Sequence, residues 1–499
     1  MKLQSLFSWN EFPEKHIVDP DLEVTGLAFD SRKVGPGFVF FALHGSNTDG
    51  HLYIPKAIQN GAIGVVFSDV AMPPDENTVA WIRVADVRRT LARVADRYFQ
   101  HPSAQLRITG VTGTNGKTTT CFFLRNIWEE NGYPCGLFTT VKNIIGPDES
   151  EAKNTTEESL SLQMDLAAMR DKGIRHAVLE VSSHGLALGR VEGILFDTAV
   201  VTNVVAEHLE FHKTFENYFT SKKKLLSMLE ENLRKGFPRV VAVNGDDPNC
   251  RAMIRDCGVP TLTYGMEDGR DVRADKIVFT LDGTHFTVRS PWGSFPVTIA
   301  FSGQYSVYNA LASITPSLYS GIPADTIVQA LARTRRVPGR WEVIKNGQDF
   351  SVIVDFAHNW HGLENTLSHL RKVTRGRVIT VFGCGGERDR KKRPLMGETV
   401  GCWSDVCIVT SDNPRGEEPA QTASDAMEGV QRAAEARPLE VQVILDRRTA
   451  IQTAFEIARA GDVVFLAGKG PERYQAYRDK MIPHNDYDIA VELLKEMYP

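Results

Sequence analysis

Short apolar runs separated by turn residues open the chain. Residues 24–29, 38–43 and 64–67 are rich in Val, Phe and Leu, and each gives way within two residues to Gly, Asp or Ser. Runs of that length and make-up predict strands. The spacing of apolar positions predicts helices over 54–60, closed by Gly61, and over 90–99, ended by His101-Pro102. A fresh strand over 106–111 places the first domain boundary at residue 104.

From there strands and helices alternate: 106–111 with the helix 118–131, then strands at 176–181, 198–204 and 240–243. Such spacing leaves room for crossover connections and implies a parallel sheet. Between 272 and 299 the pattern changes to alternating strands with turns at Asp282-Gly283 and Pro291-Trp292-Gly293, an antiparallel insertion or edge. Helices follow over 307–319 and 324–332, and the charged stretch 333–339, closed by Pro338-Gly339, reads as a linker. The last third repeats strand–helix units on strands at 352–355, 378–382, 406–410, 441–445 and 463–467. The predicted fold class is α/β in three domains: a small α/β N-terminal domain (1–104), a central domain with a P-loop-type parallel sheet (105–336) and a Rossmann-like C-terminal domain (337–499). In open parallel sheets ligands bind beyond the carboxyl ends of the strands, so the chemistry is expected in those loops.

The length of 499 residues agrees with three domains of about 150 residues each. Hydrophobic residues at 42% and charged ones at 24% exclude wholesale disorder, a collagenous chain and a coiled coil. Against 62 acidic residues stand 57 Lys and Arg, a net charge of −5, which leaves no footprint for general nucleic-acid or membrane binding. Small anionic ligands remain open to local basic clusters. The seven cysteines are irregularly spaced with no C-x-x-C pair, which argues against a disulfide framework or structural zinc site and for a reducing compartment. Residues 1–10 lack the apolar core of a signal peptide, and no apolar run approaches the roughly 20 residues of a membrane span. A cytoplasmic protein is expected.

The strongest local signal is Gly110-Val111-Thr112-Gly113-Thr114-Asn115-Gly116-Lys117-Thr118-Thr119, which follows an apolar strand and opens a helix. Glycines let backbone N–H groups converge on phosphate oxygens, Lys117 neutralises the terminal phosphates, and the Thr118 hydroxyl can ligate Mg2+. Val111 stands where the strict phosphate-loop pattern has its first glycine. Elsewhere single residues are ambiguous on their own. Glu180 at a strand end could be a solvated carboxylate or a helix cap, His208 and His358 ordinary hydrogen-bonded histidines, and Lys222-Lys223-Lys224 a solvated helix face. The basic run from Arg388 to Arg393 follows a glycine loop in an acidic protein, which favours carboxylate binding over a nucleic-acid patch.

The loop variant Gly113-Thr114-Asn115-Gly116-Lys117-Thr118-Thr119 resembles that of the Mur ligase family, the ATP-dependent amide ligases. Further stretches in family order resemble the branch that adds the third amino acid of the peptidoglycan precursor. They include Thr25 to Arg32, Asn154-Thr155-Thr156, Glu180 to Gly185, Thr202 to His212, Val337 to Arg340, Asp355 to His358, Asp412-Asn413-Pro414-Arg415 and Gly468 to Glu472. The resemblance implies an acid–amino-acid ligase adding meso-diaminopimelate to UDP-N-acetylmuramoyl-L-alanyl-D-glutamate through an acyl phosphate. Its cofactors would be ATP and Mg2+, its partners the UDP-linked muramyl dipeptide and a diamino acid, and its state a monomer. It also implies roles. Lys117, Glu180, His208 and Lys222 would be catalytic. Residues 113–119 with Asn309, Arg340 and His358 would bind ATP. Thr118, Glu180, His208 and a carbamylated Lys222 would hold the metal. Ser31, Asn154, Thr155, Thr156, Ser182 and Arg190 would meet the UDP-substrate. Arg388, Asp412, Asn413, Pro414, Arg415, Gly468 and Glu472 would hold the incoming amino acid.

Amide formation from a carboxylate needs an activated acyl group, which phosphoryl transfer from ATP supplies, and that transfer demands positioning and charge neutralisation. For a distal amine and carboxylate, Arg388 and Arg415 suit the carboxylate and Glu472 the amine. The chain departs from the family pattern at Leu188, Ala206, Asn359-Trp360-His361 and Pro471, all in loops expected to face substrate. The alternative is therefore a paralogue joining a different peptide or natural-product substrate. A phosphotransferase that makes no amide, or a non-catalytic relative, would differ in needing no amine or no ATP turnover.

Overall fold

The computed structural model describes residues 1–7, 15–16, 19–45, 48–68, 79–232 and 235–498. By its internal contacts the chain forms two units, one of residues 1–273 and 311–327 and one of residues 274–310 and 328–499. No helix among the described residues is long and apolar enough to cross a membrane.

The first unit holds two sheets. The N-terminal sheet has the order Lys15–His16, Ala80–Arg83, Ala62–Phe67, Phe38–Phe41, Gly26–Ala28 and is parallel except at Lys15–His16. Both its faces are covered: Val39, Phe41 and Val66 face one apolar cluster, Phe40, Val65 and Phe67 another. The helix Val87–Tyr98 begins three residues before the predicted 90, because the Asp86 carboxylate accepts the Arg89 N–H as an N-cap. Leu91, Val94 and Ala95 of that helix pack onto the sheet.

The second sheet runs Thr261–Gly265, Val240–Asn244, Thr198–Val201, Arg107–Thr112, His176–Glu180 and Cys135–Phe138, all parallel, then Lys142–Ile145 and Asp148–Glu151, both antiparallel. The predicted strands at 106–111, 176–181, 198–204 and 240–243 all lie here. The ribbon 142–151 escaped the pattern, since Asp148-Glu149-Ser150-Glu151 is exposed throughout and carries no apolar alternation. Arg107–Thr112 sits between His176–Glu180 and Thr198–Val201. The loops leaving the carboxyl ends of these three neighbours converge, the usual place for a ligand crevice. Beneath them Phe196, Leu225, Leu226 and Val201 belong to one buried cluster.

The strand Val272–Thr280 pairs with Thr261–Gly265 at its first two residues and continues into the second unit. There Gly283–Ser290 and Gly293–Ile299 form the expected antiparallel hairpin. The second unit's main sheet has the order Glu342–Ile344, Ser351–Asp355, Val463–Ala467, Val378–Phe382, Val406–Val409, Glu440–Val443, parallel but for the first strand. Val463–Ala467 lies centrally although it is the last of these in the chain. Its carboxyl end therefore meets loops from both halves of the sheet.

Candidate functional site

In the first unit Gly116 has a left-handed backbone and caps the helix Lys117–Glu130. Gly113 also has positive φ, 147°, and a Cβ built on it would lie 1.9 Å from Thr202 Oγ1, so a side chain there would displace the neighbouring loop. That loop holds the turn from the side: Asn115 N donates to Asn203 Oδ1 (3.0 Å), while Thr202 Oγ1 (2.6 Å) and Asn203 Nδ2 (3.0 Å) donate to Asn115 O. Thr114 Oγ1 lies 2.8 Å from the hydroxyl of the buried Tyr218. Lys117 Nζ folds over the turn and donates to the carbonyls of Gly113 (3.1 Å) and Thr114 (2.9 Å).

Glu180 ends its strand almost fully buried. It accepts from Thr118 Oγ1 at 2.9 Å, from Thr140 N at 3.1 Å and from Thr140 Oγ1 at 3.1 Å. No ion pair among the described residues compensates its charge. A buried carboxylate flanked by hydroxyls and lacking a cation is costly alone and matches the hard oxygen donors that Mg2+ takes. Thr118 and Glu180 therefore fit the metal. Thr140 was not singled out in the sequence; no motif marks a threonine that reaches across from a neighbouring strand end.

Lys222 is 2% exposed, on the inner face of the helix Phe215–Glu231, and donates to Gly113 O at 2.6 Å. Its ammonium also lies 4.6 Å from the Tyr218 ring centroid. Burial first, then the nearby charge of Lys117, holds its amine well below the ordinary lysine range. Of the run Lys222-Lys223-Lys224 only Lys222 is buried, so the solvated-face reading fails for that one residue. His208 has a left-handed backbone (φ 55°), and its ring lies 4.8 Å from that of His184. His184 is pushed down to about 4, chiefly by burial and then by His208 and His212.

Thr156 Oγ1 donates to Glu180 O (2.9 Å) and accepts from Ser182 N (2.9 Å), while the Ser182 hydroxyl caps the next short helix. Arg190 donates to Thr156 O and pairs with Glu158, both at 2.9 Å. Arg88, from the N-terminal sheet's helix, pairs with the same Glu158 at 2.8 Å. Thr155 Oγ1 lies 3.0 Å from Thr140 Oγ1, and Asn154 N donates to Glu157. Ser31 stands apart, after the strand Gly26–Ala28, with its carbonyl accepting from Asn60 Nδ2.

In the second unit the predicted linker makes a tight turn. Val337 and Arg340 form an isolated bridge, Gly339 N donates to Glu342 Oε1, and Trp341 N donates to Asp355 Oδ2. Gly339 needs its φ of 70° and its missing side chain, because a Cβ would fall 2.2 Å from Pro471 Cδ. The Arg340 guanidinium lies 4.7 Å from the Phe356 ring centroid, and His358 Nδ1 donates to Phe356 O at 2.8 Å. Asn309 lies buried on the helix Gln304–Tyr319.

The loops after Val406–Val409 and Val463–Ala467 interlock. Asn413 Nδ2 donates to Glu472 Oε2 (2.8 Å), Gln475 Nε2 to Asp412 O (2.8 Å), Arg415 N to Ala476 O (2.8 Å), and Gly386 N to Asn413 O (2.8 Å). A Cβ on Gly386 would fall 1.8 Å from Pro414 O, so the loop after Val378–Phe382 touches the Asp412–Arg415 loop there. Gly468 has φ 105°, its N–H bonded to Asp355 O. The basic run separates by partner. Arg393, 2% exposed, pairs with Glu417 and Asp425 (both 2.8 Å), and Arg390 lies 3.4 Å from each. Arg388 is exposed, and Arg415 spends one nitrogen on Gly386 O (2.7 Å); neither faces a carboxylate among the described residues.

Beneath these loops lies a buried network absent from the sequence expectations. Arg447 donates to both Asp486 oxygens (2.8 and 2.7 Å), to Ala467 O (2.8 Å) and to Ser411 O (3.5 Å), and His484 Nε2 meets Asp486 Oδ1 at 2.8 Å. Burial alone would raise the Asp486 carboxyl, but Arg447 and His484 outweigh it and hold it well below the carboxylate range. Asp486→Asn strands a buried guanidinium and is expected to lower unfolding stability by about 3–5 kcal/mol in urea titrations; a change within experimental error would show the pair carries no load. Glu417 is held down to about 2, by Arg393 first. A carboxyl with a depressed folded value stabilises above its unfolded value and loses that contribution as pH falls. Stability is therefore expected to drop as pH goes from about 4.5 towards 2, and Glu417→Gln to flatten that part of the curve measured by denaturation.

Three family models match in chain order: Mur ligase family, catalytic domain, over residues 23–99; Mur ligase middle domain over 111–316; and Mur ligase, glutamate ligase domain over 339–470. A protein of Syntrophomonas wolfei named UDP-N-acetylmuramoyl-L-alanyl-D-glutamate–2,6-diaminopimelate ligase is 40% identical over 475 residues, 95% of each chain. One of the same name from Geobacillus thermodenitrificans is 39% identical over 99% of this chain and 100% of its own. A solved structure of a ligase so named superposes with a TM-score of 0.71 at 30% identity, covering 100% of this chain and 99% of its own. MurF ligase from Thermotoga maritima in complex with ADP shares the fold, with a TM-score of 0.64 at 20% identity over 95% and 97%. On matches that together span most of its length, this chain belongs to the Mur ligase family.

Proposed function

We propose that this chain is an ATP-dependent amide ligase adding meso-diaminopimelate to UDP-N-acetylmuramoyl-L-alanyl-D-glutamate, a step in making the peptidoglycan precursor. The observation that carries the choice of amino acid lies in the second unit. Arg388 and Arg415 face no carboxylate, while Glu472, on the loop that interlocks with Arg415's, keeps its Oε1 free of hydrogen bonds among the described residues. Paired cations and an acceptor oxygen suit a ligand end bearing both carboxylate and amine. The relatives named for this reaction, about 40% identical along nearly the whole chain, support the same reading.

In this reading domains 1–104, 105–336 and 337–499 take the UDP-sugar, ATP and the amino acid. Residues 113–119, with Asn309, Arg340 and His358, bind ATP. Ser31, Asn154, Thr155, Thr156, Ser182 and Arg190 hold the UDP-linked acceptor, and Arg388, 412–415, Gly468 and Glu472 the amino acid. The acceptor carboxylate attacks the γ-phosphorus, ADP leaves, and the amine of the second substrate displaces phosphate from the acyl carbon with loss of a proton. Lys117 neutralises charge on the phosphoryl oxygens during the first transfer. Thr118, Glu180, His208 and a carbamylated Lys222 would hold Mg2+, which when bound supplies further neutralisation of that charge.

Phosphate release is expected only when ATP, Mg2+, the UDP-muramyl dipeptide and meso-diaminopimelate are all present. Release without amine, or only with another amino acid, overturns the assignment. Carbamylation of Lys222 would join its neutral amine to CO2, forming a C–N bond and losing one proton, and the burial that holds that amine well below the ordinary lysine range favours this form. Protein equilibrated with 13C-bicarbonate is expected to show a carbamate carbonyl resonance that Lys222→Met lacks; identical spectra would leave the lysine unmodified.

A further inference from the structure

Lys469 takes no part in the ligation proposed for this chain, yet it is a fully buried charge beside the amino-acid loops. Its side chain is fully buried, and its ammonium donates to Glu472 Oε2 at 2.6 Å and to Asn413 Oδ1 at 3.1 Å. Asn413 Oδ1 also accepts from Ala476 N at 3.0 Å, so its amide can turn only one way, with Nδ2 aimed at Glu472 Oε2. Both donors converge on one oxygen of Glu472. The other, Oε1, takes no hydrogen bond among the described residues, and the Glu472 side chain is 28% exposed. Burying an ammonium is tolerable only when paired in this way, so the lysine and the two side chains it binds set one another's position.

We propose that Lys469 is a positioning and specificity-determining residue of the amino-acid pocket. It presents Glu472 Oε1 to the ligand's distal amine and, by its own positive charge, disfavours ligands whose distal end carries an ammonium alone. The inference rests on the amino-acid pocket proposed above. Among the groups assigned to that pocket, Arg388, Arg415 and Lys469 are cationic and Asp412 and Glu472 anionic, while Arg447 and Asp486 cancel one another below. The balance is one positive charge with Lys469 and none without it. A distal end with both amine and carboxylate is indifferent to that balance and gains from the arginines; a lone ammonium is repelled until the lysine is removed.

The test compares wild type, Lys469→Met and Lys469→Arg on meso-diaminopimelate and on L-lysine, with KM measured for both amino acids, ATP and the UDP-linked acceptor. Lys469→Met is expected to raise the meso-diaminopimelate KM about tenfold, as losing a charge-assisted contact does, with the ATP KM unmoved. The kcat/KM preference for meso-diaminopimelate over L-lysine is expected to fall by about as much, and Lys469→Arg to restore most of it. Lys469→Gln, which keeps a donor but no charge, carries the same selectivity measurement if the methionine variant does not fold. A preference that survives both neutral variants overturns the proposal. So do a rise in KM and a fall in selectivity that Lys469→Arg shares in full, since packing alone would then explain them. Failure of the wild type to use meso-diaminopimelate at all is a different result: it removes the amino-acid assignment and this inference with it.

Discussion

Lys117→Ala is expected to cut the rate of amide formation by a factor on the order of 10²–10³ while leaving the protein folded. The ammonium touches only the carbonyls of Gly113 and Thr114 and is half-buried, so its removal breaks no buried ion pair. The neighbouring restraints on the loop, from Thr202, Asn203 and Tyr218, stay in place. Charge neutralisation, by contrast, has no substitute there: Lys222 is committed to Gly113 O, and burial holds its amine well below the ordinary lysine range. Losing one preorganised group of this kind costs on the order of 10²–10³ in kcat. Single-turnover phosphate release beside a thermal melt checks both halves of the expectation. Turnover within a few fold of wild type would remove Lys117 from the phosphate site.

Arg415→Ala is expected to raise the KM for the amino acid by roughly tenfold to a hundredfold, the equivalent of about 1.5–3 kcal/mol for a hydrogen bond to a charged group. The KM for ATP is expected to stay put. The position already has φ 54°, and alanine tolerates that backbone no worse than arginine, so strain does not separate the two. What is lost is the guanidinium, anchored on Gly386 O by one nitrogen and open on the others. Arg393 offers the contrast. It shares the same basic neighbourhood, yet Arg393→Ala would break pairs with Glu417 and Asp425 and act on stability. If Arg415→Ala left the amino-acid KM unchanged while Arg388→Ala raised it, the carboxylate would sit on Arg388 alone.

The glycine-rich turn Gly113–Thr119 was legible because everything it needs is local. Strand, glycines, lysine and helix follow one another within ten residues, and backbone conformation at Gly113 and Gly116 is a property of those residues. The parallel strands were legible for a similar reason, as near-continuous apolar runs buried on both faces. Helix starts were less so: the predicted 90–99 begins at Val87 because a cap, not an apolar periodicity, decides the first turn. The ribbon 142–151 was invisible, since its outer strand is exposed at every position.

The loops proposed to hold the amino acid show where local reading ends. The motif Asp412-Asn413-Pro414-Arg415 could be picked out, and so could Glu472, but not the lysine that joins them. Lys469 and Asn413 lie 56 residues apart in sequence. Nor does a run of basic residues say which arginine is spent inside the protein. Arg388 lies exposed in the loop and Arg393 buried in the first turn of the helix Lys392–Trp403, where Glu417 and Asp425 pair with it. Taken alone, then, the sequence determined the three α/β segments, the glycine-rich turn before the helix Lys117–Glu130 and the family, because periodicity, glycine placement and motif order are written residue by residue. The tertiary structure alone decided that Lys222 is buried with its amine held well below the ordinary lysine range, that Glu180 makes no ion pair among the described residues, and that Lys469 and Arg447 brace the loops around Asn413 and Glu472. Burial and pairing are relations between distant segments, and a charged side chain acquires its chemical state only once the fold has removed its water and supplied its partner.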